Sequence, residues 1–215
     1  MKKNTADITY QHIKQRIVSG EYSPSQHLVE IKLSQELGVS RHNIRIALNR
    51  LKAEGLVRIE PNRGAIVASL SLEDIADILA AREALEGAVA RIAAEHITSA
   101  QIRRLEECLV KMRELLANAE YDSYSSANKT FHKIIHAASK TRTIPELIDQ
   151  LRARMARVPL RTLIVPGRGE RSYAEHAAIL TALRSKNPEA AESTAKAHIN
   201  SLKEIIRKSW SLIRI

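Results

Sequence analysis

Apolar residues recur every three or four positions along the first part of the chain and predict three short helices. The predicted helices cover residues 5–20, 29–38 and 41–54. The apolar face of the first helix is assigned to residues at helical spacing: Ile8, Ile13, Ile17 and Val18, with His12 beside them. Glycines end the first two helices, and Ser40 and Gly55 stand where an N-cap and a C′ glycine of the third are expected.

Two β-branched runs follow the third helix. LVRIE (56–60) and AIVASL (65–70) are separated by Pro-Asn-Arg-Gly, which predicts a β-hairpin, whereas residues 21–28, with Pro24 among small polar residues, predict a turn. Helix, tight turn, N-capped helix and hairpin follow one another in the order of a winged helix-turn-helix. Such a domain can lay its second helix in the major groove of DNA.

The pattern changes at Ser71, after which long amphipathic helices follow one another. The predicted helices cover residues 71–97, 99–118, 122–139, 143–158, 171–185 and 188–212. The segment VPGRGERS (165–172) predicts a flexible break between two of them. We therefore expect a mostly α protein, with a winged helix-turn-helix over residues 1–70 and an all-helical antiparallel bundle of about six helices over residues 71–215.

Composition and charge narrow the function. The chain has 215 residues and a net charge of +10, half of it within the first 70 residues, which indicates a polyanionic partner concentrated at the N-terminal part. A single cysteine excludes a disulfide or a cysteine-based zinc site within one chain. No apolar run is long enough to cross a bilayer and no signal peptide is visible, so we expect no membrane partner and a cytoplasmic location.

The third helix carries the candidate DNA contacts. Arg41 and Arg45 are one turn apart and project from the same side, near the helix N-terminus. The arginine fork matches O6 and N7 of guanine, so both residues suit a reading helix. Ser40, His42 and Asn43 can add hydrogen bonds, and Arg63 stands at the hairpin tip. The plainer alternative is a solvated basic helix beside an ordinary hairpin.

Three histidines in the helical half share an unusual placement. His132, His176 and His198 lie on three different predicted helices, each toward or beside the apolar side, and Asn128 precedes His132 by one turn. A lone histidine in such a place is usually a hydrogen-bonded core residue. Three that converge would instead form a metal site, because bundle cores build such sites from facing helices and neutral imidazoles suit Zn²⁺ and Ni²⁺. His96 and His136 are not accompanied by histidines in a comparable arrangement, and we assign them to the surface or the core.

Arg82 is the remaining candidate. Its helical stripe places Arg82 and Glu86 on the apolar side, one turn apart. A buried arginine has to be paired or bound to an anion. Either an Arg82–Glu86 ion pair or contact with a ligand carboxylate would satisfy it.

The run LSQELGVSRHNIRIALNRLKAEGLVRIEPNRGAIV (33–67) resembles the DNA-binding domain of the GntR family of bacterial transcription regulators. The resemblance implies binding to double-stranded operator DNA. The candidate DNA-binding residues are Ser40, Arg41, His42, Asn43, Arg45, Arg63 and Gly64. Family members commonly have Thr-Pro after Ser-Arg, and Arg-Glu-Ala-Leu further on. This chain has His42-Asn43 and then Arg-Ile-Ala-Leu, so no operator sequence is carried over.

The helical half resembles the FCD effector-binding domain of the FadR-like branch of that family. AAREALEGAVARIAA (80–94), NKTFHKII (128–135) and YAEHAAILTALRSKNPEAAESTAKAHI (173–199) carry the resemblance. It implies a divalent cation, Zn²⁺ or Ni²⁺ above others, held by Asn128, His132, His176 and His198. It also implies that Arg82 lines the effector cavity and meets a small carboxylate. Family members often have Asp at the first ligand position, and the neutral Asn128 predicts weaker metal binding.

These expectations favour a homodimeric, ligand-responsive transcription regulator, acting as a repressor. A metal-dependent enzyme that uses the histidine cluster is the alternative, since three histidines and an open position also describe catalytic zinc sites. No suitably spaced carboxylate stands out as a general base, so we expect no enzyme. A nucleoid-type basic protein would need no buried polar cavity.

Overall fold

The computed structural model describes residues 5–60, 64–155 and 162–213. Two compact units divide between Ser71 and Leu72, and a short segment that begins at Ala153 is grouped with the N-terminal one. Each unit contains an apolar core of its own.

The N-terminal unit combines helices with a small antiparallel sheet. Its elements are α1 (Thr5–Val18), β1 (His27–Leu28), α2 (Glu30–Leu37), α3 (Arg41–Ala53), β2 (Val57–Glu60) and β3 (Gly64–Val67). The strand order is β1-β3-β2. The predicted helices and the predicted hairpin are confirmed, and together they form the expected winged helix-turn-helix.

The apolar face of α1 differs from the prediction. Ile8 and Val18 are 54% and 59% exposed, whereas Ile13 and Ile17 are buried together with Tyr10. Positions 10, 13 and 17 follow the helical repeat, and positions 8 and 18 lie outside that stripe. The two exposed residues were therefore assigned to the wrong side of the helix.

The turns around α3 follow the sequence signals. Gly38 ends α2 in the left-handed conformation, with φ of 64°. Ser40 caps α3, because its Oγ accepts a hydrogen bond from the backbone N–H of Asn43 at 3.3 Å. The predicted N-cap is confirmed.

Strand β1 lies in a segment that the sequence predicted as a turn. His27 and Leu28 pair with Ile66 and Ala65 of β3. Gly64 makes this pairing possible, since its φ is +90° and a Cβ there would stand 2.7 Å from the Leu28 carbonyl oxygen. A two-residue strand is too short to show a periodic pattern, which is why the prediction missed it.

Each of the six helices predicted after Ser71 has a counterpart in the helical unit, and residues 156–158, the predicted end of the fourth, lie outside the described residues. The elements of this unit are α4 (Leu72–His96), α5 (Ser99–Ala117), α6 (Tyr121–Ala138), α7 (Thr143–Met155), a 3₁₀ turn (Thr162–Ile164), α8 (Arg168–Arg184), α9 (Pro188–Lys208) and α10 (Trp210–Ile213). The last predicted helix is interrupted at Ser209, which separates α9 from α10. No described helix is both long and apolar enough to cross a membrane.

Helix α8 begins earlier than predicted. The segment predicted as a flexible break ends at Gly167, and Arg168 and Gly169 already belong to the helix and are buried. Arg168 is 3% exposed and its Nη1 stands 3.0 Å from Glu175 Oε2, two turns further along the same helix. This ion pair stabilises the first turn, a contact that local sequence patterns do not reveal.

Helix packing brings four helices around one region. Helix α4 packs along α9 and also contacts α6 and α8, and α8 packs against α9. Phe131 and Leu183 are fully buried in the core that they share. The polar side chains that α4, α6, α8 and α9 direct inward therefore meet.

Candidate functional site

Helix α3 presents its two candidate reading arginines to solvent. The side chains of Arg41 and Arg45 are 55% and 59% exposed. On the opposite face, Ile44, Leu48 and Leu51 are buried against the rest of the unit. This division of faces is what a helix needs in order to dock on its own domain and contact a ligand at the same time.

Glu30, the first residue of α2, holds both arginines. The Nε of Arg45 donates to both carboxylate oxygens of Glu30, at 3.1 and 2.8 Å. Arg41 Nη2 stands 3.6 Å from Glu30 Oε2. A groove of about 520 Å³ passes these residues and reaches the hairpin. The sequence did not identify Glu30, because its partners belong to another helix.

The remaining DNA-binding candidates differ in what they contact. The Ser40 hydroxyl is engaged in the cap of α3, His42 is exposed, and Asn43 is half-buried. Gly64 lets β3 approach β1 closely, because a Cβ at this position would stand 2.7 Å from the Leu28 carbonyl oxygen. Arg63 lies outside the described residues.

The three predicted metal ligands converge inside the helical unit. His132, His176 and His198 are buried, and each offers a nitrogen within 4.8 Å of the others. The Nε2 atoms of His176 and His132 are 3.3 Å apart. Asn128 Oδ1 lies 2.7 Å from His176 Nε2, so all four predicted residues stand together.

An oxygen atom faces the Nδ1 of each histidine. His176 Nδ1 contacts the Ser172 carbonyl at 2.6 Å, and His198 Nδ1 contacts Glu175 Oε2 at 2.8 Å. His132 Nδ1 stands 3.5 Å from Glu86 Oε2. Carbonyl and carboxylate oxygens accept hydrogen bonds, so His132 and His198 can donate from Nδ1. His176 has an oxygen at each ring nitrogen, Ser172 O at Nδ1 and Asn128 Oδ1 at Nε2, and a neutral imidazole can donate to only one of them. Such outer partners fix the ring of a metal-ligating histidine.

Burial lowers the pKa of two of these imidazoles, those of His132 and His176. It lowers the pKa of His132 to about 3, despite the opposing carboxylate of Glu86. It also lowers the pKa of His176 well below the usual range, as do the neighbouring histidines. For Glu86, burial raises the pKa, but His132, His136 and Arg152, which face its carboxylate, outweigh burial and hold the pKa well below its usual value. His132 and His176 are thus neutral donors beside the ionised carboxylate of Glu86.

Glu86 connects the histidines to two arginines. Its Oε1 accepts hydrogen bonds from Arg82 Nη2 at 2.9 Å and from Arg152 Nη2 at 2.8 Å. His136 is buried, with Nε2 3.5 Å from Oε2 of the same carboxylate. The Arg82–Glu86 ion pair, one of two alternatives left by the sequence, is therefore present. Arg152 and the linking role of Glu86 were missed, because they depend on how α7 and α4 pack.

A cavity of about 220 Å³ opens beside the histidines. The described residues that line it include Arg82, Lys129, Arg152 and Arg168, together with Asn128, His132 and His198. Glu86 and Glu175 pair with three of the four cations. The described part of the cavity wall is therefore rich in cationic side chains, which favours an anion in the cavity.

Comparisons with known proteins agree with this architecture. The family model "Bacterial regulatory proteins, gntR family" matches residues 5–67, and that of the FCD domain matches residues 77–201. FCD domains in these regulators often bind metal. Among solved structures, E. coli McbR/YncC has a TM-score of 0.71 at 21% identity, covering 96% of this chain and 99% of that chain. A similarity at this identity supports the fold.

Two relatives of known sequence extend over nearly the whole chain. The HTH-type transcriptional repressor RspR of Escherichia coli (strain K12) is 28% identical over 199 residues, covering 93% of this chain and 87% of the relative. The Uxu operon regulator of Haemophilus influenzae is 31% identical over 227 residues, covering 94% and 85%. The chain belongs to the GntR family of bacterial DNA-binding transcription regulators, with an FCD domain, and is a regulator, not an enzyme.

Proposed function

We propose that this regulator responds to a small carboxylate, which binds together with a divalent metal ion in the helical domain. In this proposal residues 1–70 form the DNA-binding domain and residues 71–215 form the effector-binding and dimerisation domain. The observation that carries it is the convergence of three buried imidazoles, each with a ring nitrogen within 4.8 Å of the others, beside Asn128.

The donor set fits a divalent cation. An oxygen faces the Nδ1 of each histidine, which leaves the Nε2 atoms available as ligands, and a cation would accept the lone pairs of both His176 Nε2 and Asn128 Oδ1, which lie 2.7 Å apart. Zn²⁺ and Ni²⁺ suit neutral imidazoles, and Asn128 adds a neutral oxygen. The ion would supply positive charge and an open coordination position for a carboxylate oxygen.

The cavity charge supports an anionic effector. Arg82, Lys129, Arg152 and Arg168 all line the cavity, which places four cationic side chains around an entering ligand. A ligand carboxylate that enters the cavity can be met by Arg82, whose guanidinium lies at the cavity wall.

The DNA-binding half completes the proposal. Two copies in a homodimer present two reading helices to a two-fold operator, with Arg41 and Arg45 aimed at base edges. Ser40, His42, Asn43, Arg63 and Gly64 add contacts to phosphates or bases. The name of RspR, a repressor, supports repression as the mode of action. A regulator of this kind acts in the bacterial cytoplasm.

Thermal unfolding of the full chain tests the effector site. Chelation should lower the melting temperature, added Zn²⁺ or Ni²⁺ should restore it, and small carboxylates should raise it further when metal is present, because ligands of the native state stabilise it by mass action. His176→Ala should abolish both responses. If neither ion changes the melting of the chelated parent, the histidines are core residues and the proposed effector site is wrong.

A further inference from the structure

We propose that Glu30 is a positioning residue for sequence reading, which holds Arg45 so that the outer edge of its guanidinium is presented to a guanine. This inference rests on the proposed role of Arg45 as a reading residue and deepens it. Glu30 would then set how strictly the protein distinguishes bases, while making no base contact itself.

The hydrogen bonds select one part of the guanidinium. Both oxygens of Glu30 accept from Arg45 Nε, at 3.1 and 2.8 Å. Among the described residues, neither terminal nitrogen of Arg45 has a hydrogen-bond partner. Recognition of guanine O6 and N7 requires two parallel N–H donors, and the two terminal nitrogens supply them. The carboxylate thus occupies the inner nitrogen and leaves the outer pair available.

Burial separates the roles of the two side chains. Glu30 is 22% exposed, whereas Arg45 is 59% exposed. The Glu30 carboxylate is therefore held within the domain, while the guanidinium of Arg45 faces solvent. A guanidinium that is already restricted loses less rotamer entropy when it forms a base contact, which strengthens the contact at one geometry and weakens alternatives.

The negative charge of Glu30 also favours sequence-specific binding over non-specific binding. Arg41 and Arg45 both stand near this carboxylate, so their combined charge is partly neutralised. Binding to the phosphate backbone depends on positive charge and carries no sequence information. A carboxylate at this position weakens such sequence-independent binding, and so raises the ratio of specific to non-specific affinity.

Selection from a random duplex library tests the inference on the full-length protein. The parent should select a guanine at one position of each half-site, and Arg45→Ala should abolish that preference. Glu30→Gln should reduce the same preference about threefold or more. It should also tighten binding to a random-sequence duplex and steepen its dependence on salt by about one unit of logarithmic slope.

Two further variants separate position from charge and from folding. Glu36→Gln removes the same charge from the same helix, where Glu36 pairs with Arg16, and should leave base preference unchanged. Glu30→Asp keeps the charge but shortens the side chain, so it should lose guanine preference while retaining the parental salt dependence. It also provides the test if Glu30→Gln does not fold.

The outcomes are distinguishable. Guanine preference that is lost in Arg45→Ala but kept in both Glu30 variants overturns the inference and leaves the reading role of Arg45 intact. Guanine preference that survives Arg45→Ala overturns that reading role. Loss of a cytosine preference at another position in Glu30→Gln overturns the inference too, since it would mean that Glu30 accepts directly from a base.

Discussion

Glu86 should be the most sensitive carboxylate of the helical unit. It is 4% exposed, and one of its oxygens faces both Arg82 and Arg152, whose side chains are 9% and 21% exposed. Glu86→Gln keeps the shape but removes the carboxylate charge that both arginines face. Removing one member of a buried ion pair costs about 3–5 kcal/mol. Such a loss is a large part of a stability of about 5–15 kcal/mol.

Urea unfolding followed by circular dichroism measures this effect. With a slope near 2 kcal/mol per molar urea, the midpoint should fall by about 1.5 M or more. Chelator is added to both proteins, so that a lost metal ion does not contribute. Glu189→Gln is the control: Glu189 pairs with Arg91 at 2.8 Å but is 71% exposed, so its midpoint should stay at the parental value. Equal midpoints for the Glu86 and Glu189 variants would refute the argument that Glu86 neutralises buried charge.

Three other results are expected. The metal-free protein should lose stability as the pH falls from about 6.5 toward 4.5, because burial lowers the pKa of His132 to about 3 and the unfolded chain therefore binds the proton first. The free energy of unfolding should fall by up to about 1.4 kcal/mol per pH unit for each histidine buried in this way. Urea midpoints that stay constant across this pH range would contradict the prediction. Asn128→Asp should bind Zn²⁺ roughly tenfold more tightly, since it adds a charged oxygen ligand. The affinity is measured by competition with a chelating indicator, and an unchanged affinity would remove Asn128 from the ligand set. Sedimentation equilibrium should give twice the chain mass of 24.0 kDa, and a mass of one chain at every concentration would exclude the dimer.

Periodicity accounts for what the sequence predicted well. The side of a helix on which a residue stands follows from the 3.6-residue repeat, so the inward placement of His132, His176 and His198 was visible in their stripes. Their meeting needed only the packing of amphipathic helices into one bundle. Ser40 was predicted as a cap for a similarly local reason, because the hydroxyl acts within three residues of the chain.

Contacts between distant parts of the chain were not predictable. Arg152 reaches Glu86 across 66 positions, and nothing on α7 marked it as inward-facing. Glu175 stands next to His176 in sequence, yet one of its oxygens contacts His198 on another helix. The hydrogen bonds from Arg45 to Glu30 are of the same kind. Each depends on a tertiary approach of two side chains, which one-dimensional patterns do not contain.

Local exceptions had local causes. Ile8 and Val18 matched an apolar pattern but lie outside the buried stripe of α1. The start of α8 was placed too late, because glycines and charges near Arg168 indicated a break, whereas the buried pair with Glu175 keeps this turn helical.

The account is tested most directly by measuring whether the effector site changes DNA binding. A duplex enriched from a random library is titrated with zinc-loaded full-length protein, with and without the small carboxylate that raises its melting temperature most. The proposed function predicts a change in duplex affinity of about 5- to 150-fold, matched by an equal change in carboxylate affinity when the duplex is present, and no change for His176→Ala. The same duplex affinity in the presence and absence of that carboxylate would contradict the account.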